Sequence, residues 1–325
     1  MTTRRNLALI GIAGLATAAA PRSARTQADR LINLIVPFAP GGGTDLSARL
    51  IAPYIERHLG TRIVILNRAG AGGQIGATQI ARARPDGTTI GFMNVPNTMM
   101  KPHERDAGYT VDSFEPIANL VSDPAVLAVR ADSPFRTLAD AVAAARARPD
   151  HVTVGSAGVG SNTHLDLIQL ERAASVRFDH IPYDGGAAPR TALLAGQVQV
   201  LATALGDVFR FMQDGTIRSL GILSAARSPL APQIPTYREE GFDAIGGASR
   251  GLVGPRNMPR ETVEAIASAA ERALREPELI AAATNIALTL AYMGPEEYGR
   301  YLRAADADLA RVWRETPWVA RERAR

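Results

Sequence analysis

"VPFAPGGGTDLSARL", residues 36–50, joins an apolar run to three consecutive glycines and then to a helical pattern that begins at Thr44. A strand, a glycine turn and a helix in this order are typical of a βα unit. The first turn of a helix leaves backbone N–H groups without intrahelical partners, and the helix dipole favours negative charge there. Glycine also lets a ligand approach the backbone closely. The stretch therefore predicts an anion site at the start of a helix.

Two more glycine turns lie in the same setting, between a strand-like run and a helical pattern. One is "NRAGAGG", residues 67–73, and the other is "GSAGVGSN", residues 155–162. None of the three has the G-x-G-x-x-G spacing of a dinucleotide site, and a phosphate loop is excluded because the only lysine is Lys101. A plain βα turn is the alternative for any one loop. Three such loops in one chain favour a binding role.

Short β-branched runs alternate with helical patterns along most of the chain. This alternation predicts an α/β fold with parallel-rich sheets and flanking helices. Pro124 and Pro134 punctuate the middle of the chain, and Pro255 and Pro259 precede a C-terminal helical block. Such a pattern is expected of a chain that crosses to a second domain and returns.

The first 28 residues differ from the rest. Arg4 and Arg5 precede a short apolar run and a small-residue region that ends at Ala28, which is the pattern of a secretory signal. The paired arginines also resemble a twin-arginine export signal. The apolar run is shorter than the roughly 20 residues that span a bilayer. We therefore expect residues 1–28 to be a signal peptide and the remainder to be a soluble periplasmic protein.

Composition excludes several classes of function. The chain has 36 Lys and Arg residues against 32 acidic ones, but four of the arginines and no acid lie in the signal. The mature chain is therefore balanced, which gives no support to a nucleic-acid partner. The absence of cysteine excludes disulfides and thiol chemistry. The five histidines lack metal-ligand spacing and no G-x-S-x-G is present, so the sequence predicts no catalytic residue, metal or cofactor.

Five segments in order resemble the periplasmic receptors of tripartite tricarboxylate transporters, known as the Bug family. The first is residues 34–92, which contains the opening stretch. The others are "VTVGSAGVGSNTHL" (152–165), "HIPYDGGAAPRTALLAGQV" (180–198), "GTIRSLGILSAARSP" (215–229) and "PTYREEGF" (235–242). The resemblance implies a non-enzymatic receptor that captures a small carboxylate and delivers it to membrane permease subunits.

The family also implies an architecture, a two-lobed periplasmic-binding-protein fold of type II-like form in a monomeric protein. Lobe one would comprise residues 29–123 plus 248–325, and lobe two residues 124–247. The two crossings are expected near Ser122–Ala125 and Ala244–Arg250. Two alternatives stay open: a ligand sensor for a membrane kinase, and an exported α/β enzyme acting on a phosphorylated or acylated metabolite.

Ligand-binding positions follow from the same resemblance. In the first lobe they are Phe38, Ala39, Gly42, Asp45, Ala71 and Gly72, and in the second Ser156, Gly158, Ser161, Asn162, His164, Gly185 and Thr203. For Asp45 the alternative is bracing of the loop through backbone N–H groups, and for His164 it is a capping contact.

Two positions depart from the family pattern. Ser249-Arg250 stands where relatives carry an aromatic residue, and Thr203 stands where they often carry Asp, with Asp207 near enough to compensate. Arg250 is either a partner for a distal ligand carboxylate or a solvated or interlobe arginine.

Overall fold

The computed structural model describes residues 31–183, 186–315 and 317. The predicted signal, residues 1–28, lies outside this part. The described chain folds into two mixed sheets with helices on their faces. The first sheet has the strand order β11-β4-β10-β3-β1-β2. Its strands are β1 Ile32–Val36, β2 Ile63–Asn67, β3 Thr89–Val95, β4 Phe114–Asp123, β10 Ala248–Pro255 and β11 Leu290–Met293.

The second sheet has five strands in the order β7-β6-β8-β5-β9. They are β5 Ala125–Arg130, β6 Thr153–Ser156, β7 Asp179–Pro182, β8 Val200–Ala204 and β9 Ile217–Leu223. In each sheet the strands that follow the βα pattern pair in parallel. Antiparallel pairing is confined to the partners of β10 and β4 in the first sheet and of β5 in the second.

Ten helices occur in the described residues. They are α1 Gly43–Leu59, α2 Gln74–Ala81, α3 Asn97–Glu104, α4 Leu138–Ala147, α5 Asn162–Ala174, α6 Ala187–Leu194, α7 Leu205–Gln213, α8 Arg260–Ala273, α9 Pro277–Asn285 and α10 Pro295–Glu315. Helices α1, α8 and α9 share a core with one face of the first sheet, and α2, α3 and α10 share a core with the other. Helix α1 is amphipathic rather than apolar on most faces, because Leu46 is 51% exposed.

The chain passes between the sheets twice. Only Pro124 separates β4 from β5, and residues 224–247 lead from β9 back to β10. Strand β10 then enters the first sheet between β3 and β4. We call residues 31–123 and 248–315 lobe one, and residues 125–247 lobe two. The crossings and the first two glycine turns lie at the same end of the strands of the first sheet, because β1, β2 and β3 end where β10 begins.

Candidate functional site

The first glycine turn, residues 38–44, is called loop one. Residues 39–43 are exposed, and α1 begins at Gly43 without a side-chain cap at Gly42. The backbone N–H of Gly41 is bonded to Asp45 Oδ2. Within the described chain, the N–H groups of Gly42, Gly43, Thr44 and Asp45 make no hydrogen bond. Loop one thus presents an accessible helix N-terminus with free donors, as an anion site requires.

Asp45 points inward and braces loop one. Its Oδ2 accepts from Gly41 N and from Arg49 Nε, both at 2.9 Å, and its Oδ1 accepts from Asn67 Nδ2 at 2.8 Å. The same Asn67 nitrogen donates to the Phe38 carbonyl at 3.0 Å. Burial alone would raise the pKa of Asp45, but these hydrogen bonds outweigh burial and lower it. A carboxylate with three partners and 1% exposure holds the loop in place.

The second turn, residues 68–73, is called loop two and lies against loop one. Gly72 and Gly73 have φ values of +64° and +94°, which favour glycine. A Cβ at Gly73 would lie 3.0 Å from the Phe38 ring, so Phe38 packs on loop two. A Cβ at Gly72 would lie 2.8 Å from Lys101 Cε. Lys101 is therefore directly beneath the exposed Ala71-Gly72 backbone, although sequence reasoning gave it no role in the site.

Lys101 is not an isolated charge. Its Nζ lies 2.8 Å from Glu104 Oε2, and the two side chains are only 7% and 11% exposed. The same Glu104 oxygen lies 3.5 Å from Arg105 Nη2, so this one carboxylate is shared by two cations beneath loop two.

The third turn, residues 156–161, is called loop three, and its backbone donors are largely used. Five N–H groups in and beside it are bonded: Ala157 to Thr163 Oγ1, Gly158 to Ser156 Oγ, Gly160 to His164 Nδ1, Ser161 to the Gly158 carbonyl, and Asn162 to Asn97 Oδ1. Ser161 also caps α5 by accepting from His164 N. Loop three is closed by its own side chains and by one residue of lobe one.

His164 has the capping role that was its alternative. Its Nδ1 accepts a backbone N–H, so this nitrogen carries no proton. The ring is buried and stacks on His180 with centroids 4.1 Å apart. Ser156 Oγ lies 2.6 Å from His180 Nε2, but Ser156 is 0% exposed. A serine sealed from solvent in this way cannot meet a substrate, so the contact is structural.

Thr203 and Asp207 form a second polar group in lobe two. Thr203 Oγ1 donates to Asp207 Oδ2 at 3.1 Å, and a Cβ at Gly186 would lie 3.4 Å from the same oxygen. Thr203 is buried while Asp207 is exposed. The acid thus stands one turn from the position where the family pattern has it. Gly185, predicted to line the site, lies outside the described residues.

Arg250 is paired within the protein. Its Nη2 lies 2.8 Å from Asp123 Oδ2, and both side chains are 8% exposed. A Cβ at Gly43 would lie 3.3 Å from the same Nη2, so the guanidinium rests on the start of α1. Burial raises the pKa of Asp123, Arg250 opposes that rise, and Asp207 adds to it. Arg250 is thus paired inside lobe one, on the strand β10 that follows the second crossing, and it also borders loop one.

The predicted site residues therefore fall into two groups. Phe38 joins loops one and two, and Arg250 joins loop one to the crossing at Asp123. Loop three and the Thr203 pair belong to lobe two, and the contact from Asn97 to Asn162 connects that lobe to lobe one. The described residues contain no group of three or more His, Cys, Asp or Glu side chains that could hold a metal. No helix in the described part could span a membrane.

Comparison with known proteins gives consistent matches. The model of the tripartite tricarboxylate transporter family receptor matches residues 47–314. Protein BugT of Bordetella pertussis is 35% identical over 257 residues, covering 74% of this chain and 76% of BugT. A UPF0065 protein from the tcbD-tcbE intergenic region of Pseudomonas sp. strain P51 is 32% identical over 299 residues, covering 90% and 88%.

Solved structures agree with these matches. A TctC solute-binding protein from Polaromonas is 30% identical with a TM-score of 0.77, covering 88% of this chain and 99% of that one. MatC from Rhodopseudomonas palustris, solved with bound malate, is 28% identical with a TM-score of 0.75, covering 87% and 99%. Another R. palustris protein, solved with adipate, is 28% identical with a TM-score of 0.75, covering 88% and 97%. The predicted Bug resemblance and fold class are confirmed: the chain belongs to the tripartite tricarboxylate transporter receptor family.

Proposed function

We propose that this protein is an exported periplasmic receptor that binds a small dicarboxylate between its lobes and delivers it to membrane transporter subunits. The free N–H groups of loop one, with a guanidinium beside them, carry the proposal. Loop one offers four such groups at a helix N-terminus, and Arg250 lies against Gly43. Backbone donors and a guanidinium in one place suit a carboxylate and need no titrating catalyst.

Dicarboxylates are favoured because two related structures hold malate and adipate. In this proposal one carboxylate of the ligand receives the N–H groups of Gly42 to Asp45. The second carboxylate shares the Arg250 guanidinium with Asp123. Arg250 Nε makes no hydrogen bond in the described structure, so the guanidinium has unused donor capacity. The other predicted positions would shape the cavity rather than bind charge.

Lobe closure is part of the proposal. Domains that close around ligands hinge at a few residues at the ends of secondary-structure elements. The crossing at Pro124 and the segment before β10 have this character, and they support our proposal of lobes that comprise residues 29–123 plus 248–325 and residues 124–247. Gly247 has φ +103°, and a Cβ there would lie 2.7 Å from the Asp123 carbonyl, so this crossing requires glycine.

Thermal denaturation of the mature chain, residues 29–325, tests the proposal against a panel of mono- and dicarboxylates, nucleotides and phosphate. A ligand at 100 times its Kd adds about 2.7 kcal/mol of stability. Selective shifts with dicarboxylates are expected. Shifts in Tm with nucleotides or phosphate alone would favour the alternative of an exported enzyme. Because co-purified ligand can mask a shift, the protein is unfolded, dialysed and refolded first.

Arg250→Lys tests the role of the guanidinium. Lysine keeps the charge beside Asp123 but loses the planar fork, so dicarboxylate affinity should fall about tenfold, as for the loss of one charged hydrogen bond. Monocarboxylates held by loop one should lose less. Arg260→Lys, at a side chain that is 87% exposed, is the matched control. Equal losses of affinity for dicarboxylates and monocarboxylates would mean that Arg250 does not bind the second carboxylate.

A further inference from the structure

One direct hydrogen bond joins the two lobes beside the glycine loops. The backbone N–H of Asn162 donates to Asn97 Oδ1 at 2.7 Å. Asn162 is the first residue of α5 in lobe two, and Asn97 is the first residue of α3 in lobe one. The bond therefore places an oxygen of lobe one at the N-terminus of a lobe-two helix, where an anionic oxygen would otherwise be favoured.

Asn97 is held in position from lobe one. The next residue, Thr98, is 0% exposed, and its Oγ1 donates to the Asn94 carbonyl at 2.6 Å. The Tyr109 hydroxyl donates to the Thr98 carbonyl at 2.7 Å. Asn97 itself is partly exposed, and its Nδ2 donates to none of the described residues. The backbone next to Asn97 is thus held in place. Its Oδ1 accepts a hydrogen bond from lobe two, and its Nδ2 is an unused donor group.

Other contacts between the lobes have a different character. Leu165 and Ile168 of α5 are buried in a hydrophobic cluster whose other members belong to lobe one. Arg172 and Glu315 form an ion pair at 3.1 Å with 30% and 52% exposed side chains. Gly206 of lobe two lies near the Ile286 carbonyl of lobe one. Exposed pairs of this kind contribute little to stability. Asn97 to Asn162 is the contact that involves a glycine loop directly.

We propose that Asn97 is the closure latch of this receptor: its Oδ1 holds the start of α5 when the lobes approach, and its Nδ2 is left to donate to the ligand. This inference rests on the receptor function proposed above. A consequence concerns charge. Because a neutral amide oxygen already occupies the α5 N-terminus, the carboxylates of the ligand are bound mainly by lobe one, at loop one and Arg250.

Distance measurement between spin labels on the ligand-free protein tests the latch. The chain has no cysteine, so Arg84→Cys in lobe one and Leu194→Cys in lobe two give two unique labels. In Asn97→Ala the closed fraction should fall about 2- to 10-fold, the range for one hydrogen bond. Asn97→Asp keeps an acceptor that the helix dipole favours, so it should restore or increase the closed fraction. Gln213→Ala, an exposed amide at the end of α7, is the control.

Malate binding supplies a second measurement. Asn97→Asp should weaken malate binding while the lobes stay closed, because it adds negative charge and removes the free donor; a purely structural residue would not separate these effects. Identical distance distributions in wild type, Asn97→Ala and Asn97→Asp would overturn the latch, and so would a wild type that is fully open. If no variant binds any carboxylate while the distances still shift, the receptor function fails and the latch stands.

Discussion

Loop one and loop three both place glycines between a strand and a helix, yet they use their backbone donors in opposite ways. In loop one the residues that follow leave four N–H groups free, and two of these groups, on Gly42 and Gly43, belong to exposed residues. In loop three, side chains in the first turn of α5 take up the N–H groups themselves, with Thr163 and His164 as acceptors. Glycine content therefore does not define an anion site. The residues that follow the glycines decide whether its donors are available.

The buried aspartates beside the two loops differ in the same way. Asp45 has three hydrogen-bonding partners and a lowered pKa. Asp166, in α5, accepts from Gly247 N at 2.9 Å, and its Oδ2 has no partner in the described structure. Burial raises the pKa of Asp166 to about 7, the bond from Gly247 opposes this, and Asp123 adds to it. One aspartate stabilises its loop as an anion, and the other is stable as a neutral acid.

Asp166→Asn gives the largest expected effect and tests this contrast. An unfolded Asp releases its proton near pH 4, whereas the native Asp166 keeps its proton to about pH 7. The stability of the wild type therefore falls as pH rises through this window, and the loss is complete above pH 7. Asn avoids that loss and should be more stable by up to about 4 kcal/mol at pH 8. Near pH 4 the two proteins should have similar free energies of unfolding. Parallel curves of stability against pH would contradict a raised pKa for Asp166.

Gly42→Phe tests which loop binds the anion. Gly42 is exposed with φ −77°, so a side chain is tolerated there, but it covers the free donors. Carboxylate affinity should fall at least about 100-fold, which corresponds to about 2.7 kcal/mol, with little change in Tm. Val159→Phe makes the matching change in loop three, where Val159 is 37% exposed, and should leave affinity nearly unchanged. Calorimetric titration with malate or adipate compares the two. A greater loss of carboxylate affinity in Val159→Phe would mean that loop three, rather than loop one, binds the anion.

Asp45→Ala should loosen loop one without blocking it. Gly41 N loses its acceptor and Asn67 Nδ2 keeps only the Phe38 carbonyl, and a group left unsatisfied costs about 1–3 kcal/mol. Urea denaturation should show a stability loss of about 2 kcal/mol, within that range, and carboxylate affinity should also fall. Asp86→Ala, which removes an acceptor from the remote Thr88, should reduce stability alone. Unchanged affinity in Asp45→Ala would mean that the loop keeps its shape without the brace.

Ser161→Ala gives the smallest effect. Ser161 caps α5, and loss of a cap costs about 1 kcal/mol of stability. Carboxylate affinity should stay within a few-fold of wild type, because loop three donates to the protein rather than to ligand. A loss of affinity as large as that of Asp45→Ala would show that the loops are equivalent after all.

Much of the fold could be read from the sequence, because hydrophobic periodicity and turn residues agree locally. The helical pattern that begins at Thr44 is observed as Gly43–Leu59, and the one that follows the turn at residues 155–162 is observed as Asn162–Ala174. The strands β10 and β11 and the helices α3, α7 and α9 were not predicted. Helix α3 contains Pro102, and β10 is buried along its whole length, so it shows no alternation of apolar and polar residues.

The site was harder to predict, because its roles depend on contacts far apart in sequence. The glycine loops could be predicted from local sequence patterns, and so could the alternative that Asp45 braces loop one. The partner of Arg250 is Asp123, and that of Asn162 is Asn97; neither spacing leaves a signal in one sequence. In the sequence, Lys101 is notable only as the single lysine, which does not indicate a place in the site. Its place under Gly72 arises from the packing of α3 against loop two.

The position of β10 has a consequence for how the chain acquires its structure. Every strand of the second sheet lies within the continuous segment 125–247 that makes up lobe two, so lobe two can form as soon as that segment is available. The first sheet has a gap between β3 and β4 that only residues 248–255 fill. Lobe one, which contains the first described strands, must therefore be completed last. Contacts between such distant segments are slow to form, so loop one acquires its final setting only after the lobe that it faces already exists.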